Sequence, residues 1–327
     1  METDPTYADI VAARDILARH LPETPMWSYP ALNDAVGATI YVKHENTQPT
    51  GAFKVRGGLT LLATMPARQR ARGLITYSTG NHAQALAYAS AVFDTLCTVV
   101  MPAAANEYKV RAVRALGSEV VLHGADLAAA QTYAESLAAE RELALISVGD
   151  NPSQVAGVGT LHLEIVSAQP DLDAVIVPVG SGTSASAACL VAAELAPRCR
   201  VIAVQSSASP AGHDSWHSGS LVQRANQTVV EGLATGRGFD LPQRIMRRCL
   251  SDFCLVSDAQ IAEAQLLLAT HAHTLAEGAG AAALAAVLAV PSTFSGQRVA
   301  VVCSGGNANG AELAALGRNG SLAKSQL

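Results

Sequence analysis

Nine short β-branched runs punctuate the chain, and helix-like, alanine-rich segments lie between most of them. The runs are "TIYV" (39–42), "LITYS" (74–78), "CTVVMP" (97–102), "EVVL" (119–122), "LALISV" (143–148), "DAVIVPV" (173–179), "RVIAVQ" (200–205), "FCLVS" (253–257) and "RVAVVCS" (298–304). Strands this apolar along their whole length need cover on both faces, and intervening helices supply it. The pattern therefore predicts an α/β fold of mostly parallel sheets with helices on both faces. A chain of 327 residues is long enough for two domains. No repeat of fixed period and no low-complexity linker interrupts it. Only the tail after Leu316, "GRNGSLAKSQL", is expected to be disordered.

Composition works mainly by exclusion. Charged residues make up 15% of the chain and apolar ones 50%, so much surface is expected to be buried or in an oligomer contact. The net charge is −5 and no basic run occurs, which argues against a nucleic-acid partner. The six cysteines (Cys97, Cys189, Cys199, Cys249, Cys254, Cys303) form no CxxC, and most sit in apolar runs as small hydrophobes. The first residues, "METDPTYADI", carry no apolar core of a secretory signal. The longest apolar run, "AGAAALAAVLAV" (279–290), is too short to span a bilayer. A cytoplasmic protein with no membrane contact is expected.

Three loops follow strands and open helices: "STGNHAQ" (78–84), "VGSGTSAS" (179–186) and "SGGNANG" (304–310). Each puts glycines, small hydroxyls and backbone N–H groups at a helix N-terminus, where an anion binds well. "GSGTSA" (180–185) also fits the dinucleotide pattern GxGxxA. The next strand, however, ends in Gln205 where a ribose-binding carboxylate would stand. "HDSWH" (213–217) spaces two histidines at i, i+4, but a polar loop is the plainer reading. "HAH" (271–273) falls on an expected helix with its histidines pointing apart, and "SLAK" lacks the apolar helix an SxxK motif needs.

One lysine stands out. Thr50 can N-cap a helix through "GAFKVRGGLTLLATM", placing Lys54 in its first turns beside Phe53. The helix dipole and partial desolvation would both lower the lysine pKa and free the amine for chemistry with a carbonyl. Alone, Lys54 would be an ordinary exposed lysine. Beside three anion loops, it fits a phosphorylated aldehyde cofactor held as a Schiff base. The flanking glycines then read as clearance for a flat ring.

The blocks "HENTQPTGAFKVRGG", "STGNHAQALAYA", "VPVGSGT", "EGLA", "AEGAGAAALAA" and "CSGGN" resemble the threonine dehydratase/serine racemase family of fold type II pyridoxal phosphate (PLP) enzymes. They run in that family's order from Thr24-Pro25 to Asn307. "STGNH", the "SW" at 215–216 and "AEGAGAA" look closest to its hydroxyectoine-utilisation and phenylserine dehydratase-like subgroup. The resemblance implies a tryptophan synthase β-like, two-domain homodimer. Residues 1–67 and 151–327 would form the large cofactor-binding domain and 68–150 the small one.

By the same resemblance, Lys54 would carry PLP and take the substrate Cα proton, and Phe53 would flank the ring. Asn81 would bond its 3′-oxygen. Gly180, Ser181, Gly182 and Thr183 would cradle the phosphate, with Gly232 also against the cofactor. Glu277 would sit near its polar edge. Ser304 would face the pyridine nitrogen and, being neutral, leave a weak electron sink that favours elimination. Ser78, Thr79, Asn81 and His82 would receive the substrate carboxylate. The implied reaction takes water from a β-hydroxy amino acid, threonine-, serine- or phenylserine-like or hydroxyectoine-derived, and yields a 2-oxo acid and ammonia. Racemisation and β-replacement are alternatives on the same cofactor. A nicotinamide-dependent oxidoreductase is the alternative of another class.

Three departures from the family pattern carry expectations. Thr79 stands where racemases hold a serine acid/base and many dehydratases an alanine, so weak racemisation beside elimination is expected. Gln205 and Ala211 stand where cation-dependent relatives hold acids. No metal site is therefore expected, nor any loss on chelation. The chain ends soon after "SGGN", so no isoleucine-responsive regulatory domain is expected.

Overall fold

The β-branched runs become strands, because such side chains pack well on a pleated, buried surface. A computed structural model, which describes residues 3–323, contains ten: β1 Met26–Ser28, β2 Thr39–His44, β3 Leu74–Tyr77, β4 Cys97–Met101, β5 Glu119–Leu122, β6 Ala144–Leu145, β7 Ala174–Pro178, β8 Arg200–Ser206, β9 Asp252–Val256 and β10 Arg298–Cys303. One sheet has the order β1-β2-β10-β7-β8-β9, and only the β1–β2 pairing is antiparallel. The other, β5-β4-β3-β6, is parallel throughout. The fold is α/β with parallel sheets and helices, as the sequence predicts.

The chain divides into two compact units, one of Met1–Pro22 with Gln48–Thr160 and one of Glu23–Thr47 with Leu161–Leu327. The four-stranded sheet lies wholly within 68–150. The first unit adds helix Lys54–Thr64 because its buried Val55, Leu59 and Leu62 join the same core as Leu86, Val99 and Met101. In the second unit the alanine-rich run 279–290, all but its last residue, belongs to the helix Gly278–Ala289, buried on nearly every face. Its Ala281, Ala285 and Leu284 pack with Ile176, Val204 and Val301 of the sheet. Among the described residues, no helix is long and apolar enough to cross a membrane.

Several local expectations give way. The stretch after Leu316 is helical as far as Ala323, in a helix that starts at Gly310; residues 324–327 of the predicted disordered tail lie outside the described residues. Asn309 starts this helix, its side chain accepting the Glu312 N–H at 2.9 Å, which outweighs the glycines farther on. "HDSWH" is no loop but the body of helix Ala211–Ser218. Trp216 packs near Phe253, and Arg247 donates to the Ser215 carbonyl at 2.8 Å. Of "HAH", only His271 is helical; His273 has φ +51 and lies beyond the helix end.

Candidate active site

In the first unit, helix Lys54–Thr64 begins at the lysine itself, preceded by Phe53 with no side-chain cap. Thr50 does not cap it. The chain turns at Gly51 (φ +69), and the Thr50 hydroxyl donates to the Ala52 carbonyl at 3.4 Å. The glycines of "KVRGG" also serve a different purpose from ring clearance. A Cβ on Gly58 would lie 2.7 Å from the Ala85 carbonyl oxygen, and one on Gly57 3.1 Å from that of Gln154. They let neighbouring helices approach.

The Lys54 amine lies 5.2 Å from the centre of the Phe53 ring. Burial drives its pKa down to about 7, because an ammonium surrounded by protein loses its hydration. His82 is buried as well; first burial, then the charge of Lys54, push it down to about 3. Its tautomer follows from its partner. Thr76 donates its one hydroxyl proton to the Ile146 carbonyl (2.9 Å), so its oxygen accepts from His82 Nε2 at 3.0 Å. Nδ1 therefore carries the lone pair. Helix Asn81–Val92 follows directly, with Gly80 as an N-cap that has no side chain to offer. A helix end of that kind favours an anion. Ser78 is buried and accepts the Gly80 N–H at 3.3 Å, while Thr79 and Asn81 stay part-exposed. Lys54, Phe53, Ser78, Thr79, Asn81 and His82 thus share one unit.

The remaining predicted residues share the other. Strand β7 leads into Gly180, and helix Thr183–Leu195 starts behind Gly182, a left-handed N-cap at φ +90. A Cβ on Gly180 would collide with the Gly232 carbonyl oxygen, and one on Gly232 would come 2.6 Å from Ala279. That contact brings Gly180 and Gly232 together against the helix whose N-cap is Glu277. The Glu277 N–H donates to the Gly305 carbonyl at 3.1 Å, so Glu277 and Ser304 stand on neighbouring segments. Ser181, Thr183, Glu277 and Ser304 are all buried.

One supporting residue escaped the sequence reading. Glu312 accepts the Gly278 N–H at 2.6 Å and the Gln265 amide at 2.8 Å, placing a carboxylate at the N-terminus of the Glu277 helix. The spacing Asn309-x-x-Glu312 was the available signal. His213 and His217 do come together, their ring centres 4.3 Å apart. Asp214 accepts from Arg224 and pairs with His213. Among the described residues, no group of three or more His, Cys, Asp or Glu could hold a metal ion.

Residues 17–305 match the pyridoxal-phosphate dependent enzyme family. The chain is 33% identical over 304 residues to an L-threo-3-hydroxyaspartate ammonia-lyase of Saccharomyces cerevisiae, covering 93% of each. It is 34% identical to an L-threonine ammonia-lyase of Thermotoga maritima, covering 92% of this chain and 75% of that one. The solved serine racemase of Dictyostelium discoideum superposes with a TM-score of 0.87 at 31% identity, over 93% of this chain and 99% of that one. The chain belongs to the pyridoxal-phosphate dependent enzymes, within the fold type II architecture of threonine deaminases and serine racemases. "GSGTSA" is accordingly no nicotinamide fingerprint.

Proposed function

We propose that the chain is a PLP-dependent ammonia-lyase that removes water from a β-hydroxy amino acid and releases a 2-oxo acid and ammonium. The observation that carries this reading is Lys54, an amine brought by burial to a pKa of about 7 on the unit that also holds the bare helix end at Gly80. Relatives that act on hydroxyaspartate and threonine support the substrate class.

The residues present fit PLP. Glycine at 180 lets the loop pack against the Gly232 carbonyl, which a Cβ would strike, and the N-terminus of helix Thr183–Leu195 favours a phosphate. Lys54, Phe53, Asn81, Gly180, Ser181, Gly182, Thr183, Gly232, Glu277 and Ser304 are the residues that would hold it. When bound, PLP supplies the electron sink that makes the substrate Cα–H acidic and its β-hydroxyl able to leave. The chain supplies the rest. Brought down to about 7, the Lys54 amine is available in its unprotonated form near neutral pH and can take the Cα proton. Ser78, Thr79, Asn81 and His82, at the positive end of their helix, would hold the substrate carboxylate, His82 through its backbone N–H because its one ring donor is already given to Thr76. Ser304 would offer a neutral hydroxyl to the ring nitrogen. No net oxidation occurs: one water leaves the substrate and one returns on release of ammonium.

A purified protein should be yellow, with colour fixed by borohydride and absent in Lys54→Ala. It should release a 2-oxo acid from at least one of threonine, serine, phenylserine, hydroxyaspartate or an ectoine-derived hydroxy amino acid. A colourless protein, or no 2-oxo acid from any of them, would end the reading. Thr79 extends it: Thr79→Ala should lower solvent exchange of the D-enantiomer's α-proton far more than it lowers elimination. Unchanged exchange in both enantiomers would leave Thr79 without an acid/base role. The low share of charged residues supports a homodimer, and we place it in the cytoplasm; sedimentation and cell fractionation test these points.

A further inference from the structure

Gln205, near the end of β8, is fully buried, and the chemistry above gives it no task. Its amide lies in a series of hydrogen bonds that all run one way. The His213 N–H donates to Gln205 Oε1 at 3.1 Å, which fixes how the amide is turned. Gln205 Nε2 then donates to Thr235 Oγ1 at 3.3 Å. The hydroxyl of Thr235 spends its single proton on the Gly180 carbonyl oxygen, 3.2 Å away. Thr235 is held in turn by Ser209, whose hydroxyl donates to its carbonyl at 3.1 Å. No donor in this series is used twice.

The series ends on a rigid plane. A trans peptide unit points its C=O and the following N–H in opposite directions. Pinning the Gly180 carbonyl toward Thr235 therefore turns the Ser181 N–H away from Thr235. We propose that Gln205 is a positioning residue for the PLP phosphate: through Thr235 it locks the Gly180–Ser181 peptide, so that the Ser181 N–H stays presented to the phosphate. The proposal rests on the reading of residues 180–183 as the phosphate loop. It also explains why an amide stands at this position. A carboxylate at 205 could accept from His213 and from Thr235 but donate to neither. The Thr235 proton would turn to it, and Gly180 would lose its partner.

The test uses the full chain, stripped of PLP and titrated back with PLP or with pyridoxal, which lacks the phosphate. A chelator is present throughout. Wild type should bind PLP far more tightly than pyridoxal. Gln205→Leu, Gln205→Glu and Thr235→Val should each raise the PLP Kd about tenfold and leave pyridoxal binding within about twofold. Gln205→Leu combined with Thr235→Val should be no worse than either alone, since both cut the same series. Thr235→Ser should restore wild-type selectivity. A merely structural role would weaken both ligands alike, so an unchanged PLP/pyridoxal ratio in folded variants overturns the proposal. Should Gln205→Leu not fold, the part-exposed Thr235 decides through Thr235→Val and Thr235→Ser. Wild type that binds pyridoxal as tightly as PLP would instead refute the phosphate-loop reading beneath it.

Discussion

The two units prepare their residues by different physics. In the first, burial does most of the preparation: it lowers Lys54 to about 7 and His82 to about 3. In the second, direction matters more than charge. The Gly180 carbonyl, the Gly232 contact and the Glu277 N–H are each fixed by a hydrogen bond or a close backbone approach. Desolvation tunes reactivity but aims nothing, whereas directional hydrogen bonds aim the groups they join. Substitutions in the first unit should therefore alter protonation and turnover. Substitutions in the second should alter cofactor affinity.

The largest effect belongs to the first unit. Lys54→Ala should lower 2-oxo acid release by at least about a thousandfold, since in the proposed function Lys54 is both the base and the covalent anchor. A loss of less than about tenfold in a steady-state assay would move the chemistry elsewhere. Next comes a matched pair of glycines. Gly180→Ala drives a methyl group into the Gly232 carbonyl, and overpacking of about 1–3 kcal/mol should weaken PLP binding about ten- to a hundredfold. Gly58→Ala presses on Ala85 in the first unit; it should lower the melting temperature while the PLP Kd of the folded protein changes little. Equal effects on PLP binding from both substitutions would dissolve the distinction between the units.

The pH dependence of stability should also separate them. The folded pKa of Lys54, about 7, lies below its ordinary 10.5. Between those values the unfolded chain holds more protons than the folded one, so raising the pH stabilises the fold. His82 acts in the same direction between about 3 and its ordinary 6.5. In urea melts of the cofactor-free protein, stability should rise from pH 7 toward pH 10, and Lys54→Met should remove much of that rise. A wild-type profile as flat as that of Lys54→Met would mean the amine keeps its water.

The strands were legible because buried parallel strands must be apolar along their length, and the three loops because glycine and small hydroxyls crowd at helix starts. The three-residue β1 was not, since it holds no run and is set by its antiparallel register with Tyr41, Val42 and Lys43. "HDSWH" hid a helix because its residues are poor helix formers; Phe253 and Arg247, far along the chain, stabilise it. The hydrogen bonds through Gln205 escaped for the same reason. Gln205 and Thr235 are 30 residues apart, and Thr235 and Gly180 are 55 apart. A spacing rule sees neighbours in sequence, and these partners meet only through tertiary packing. The low pKa of Lys54 was legible but not its setting: its helix does not need Thr50, and burial is what pushes the amine down to about 7.

The smallest expected effect tests how far the second unit depends on its C-terminal helix. Glu312 meets the Gly278 N–H at 2.6 Å and Gln265 at 2.8 Å, where a negative charge faces the positive end of the Glu277 helix. Glu312→Gln keeps an acceptor for Gly278 but removes the charge, so it should cost about 0.3–1 kcal/mol. Glu312→Ala removes the acceptor as well and should cost about 1–2 kcal/mol. If this helix end merely stabilises the unit, both variants melt earlier in that order and PLP binds as before. If it also sets Glu277, the PLP Kd should follow the melting temperature through the series. Variants that melt like wild type would show that the carboxylate adds nothing to the helix end, and the C-terminal helix would then support the second unit through packing alone.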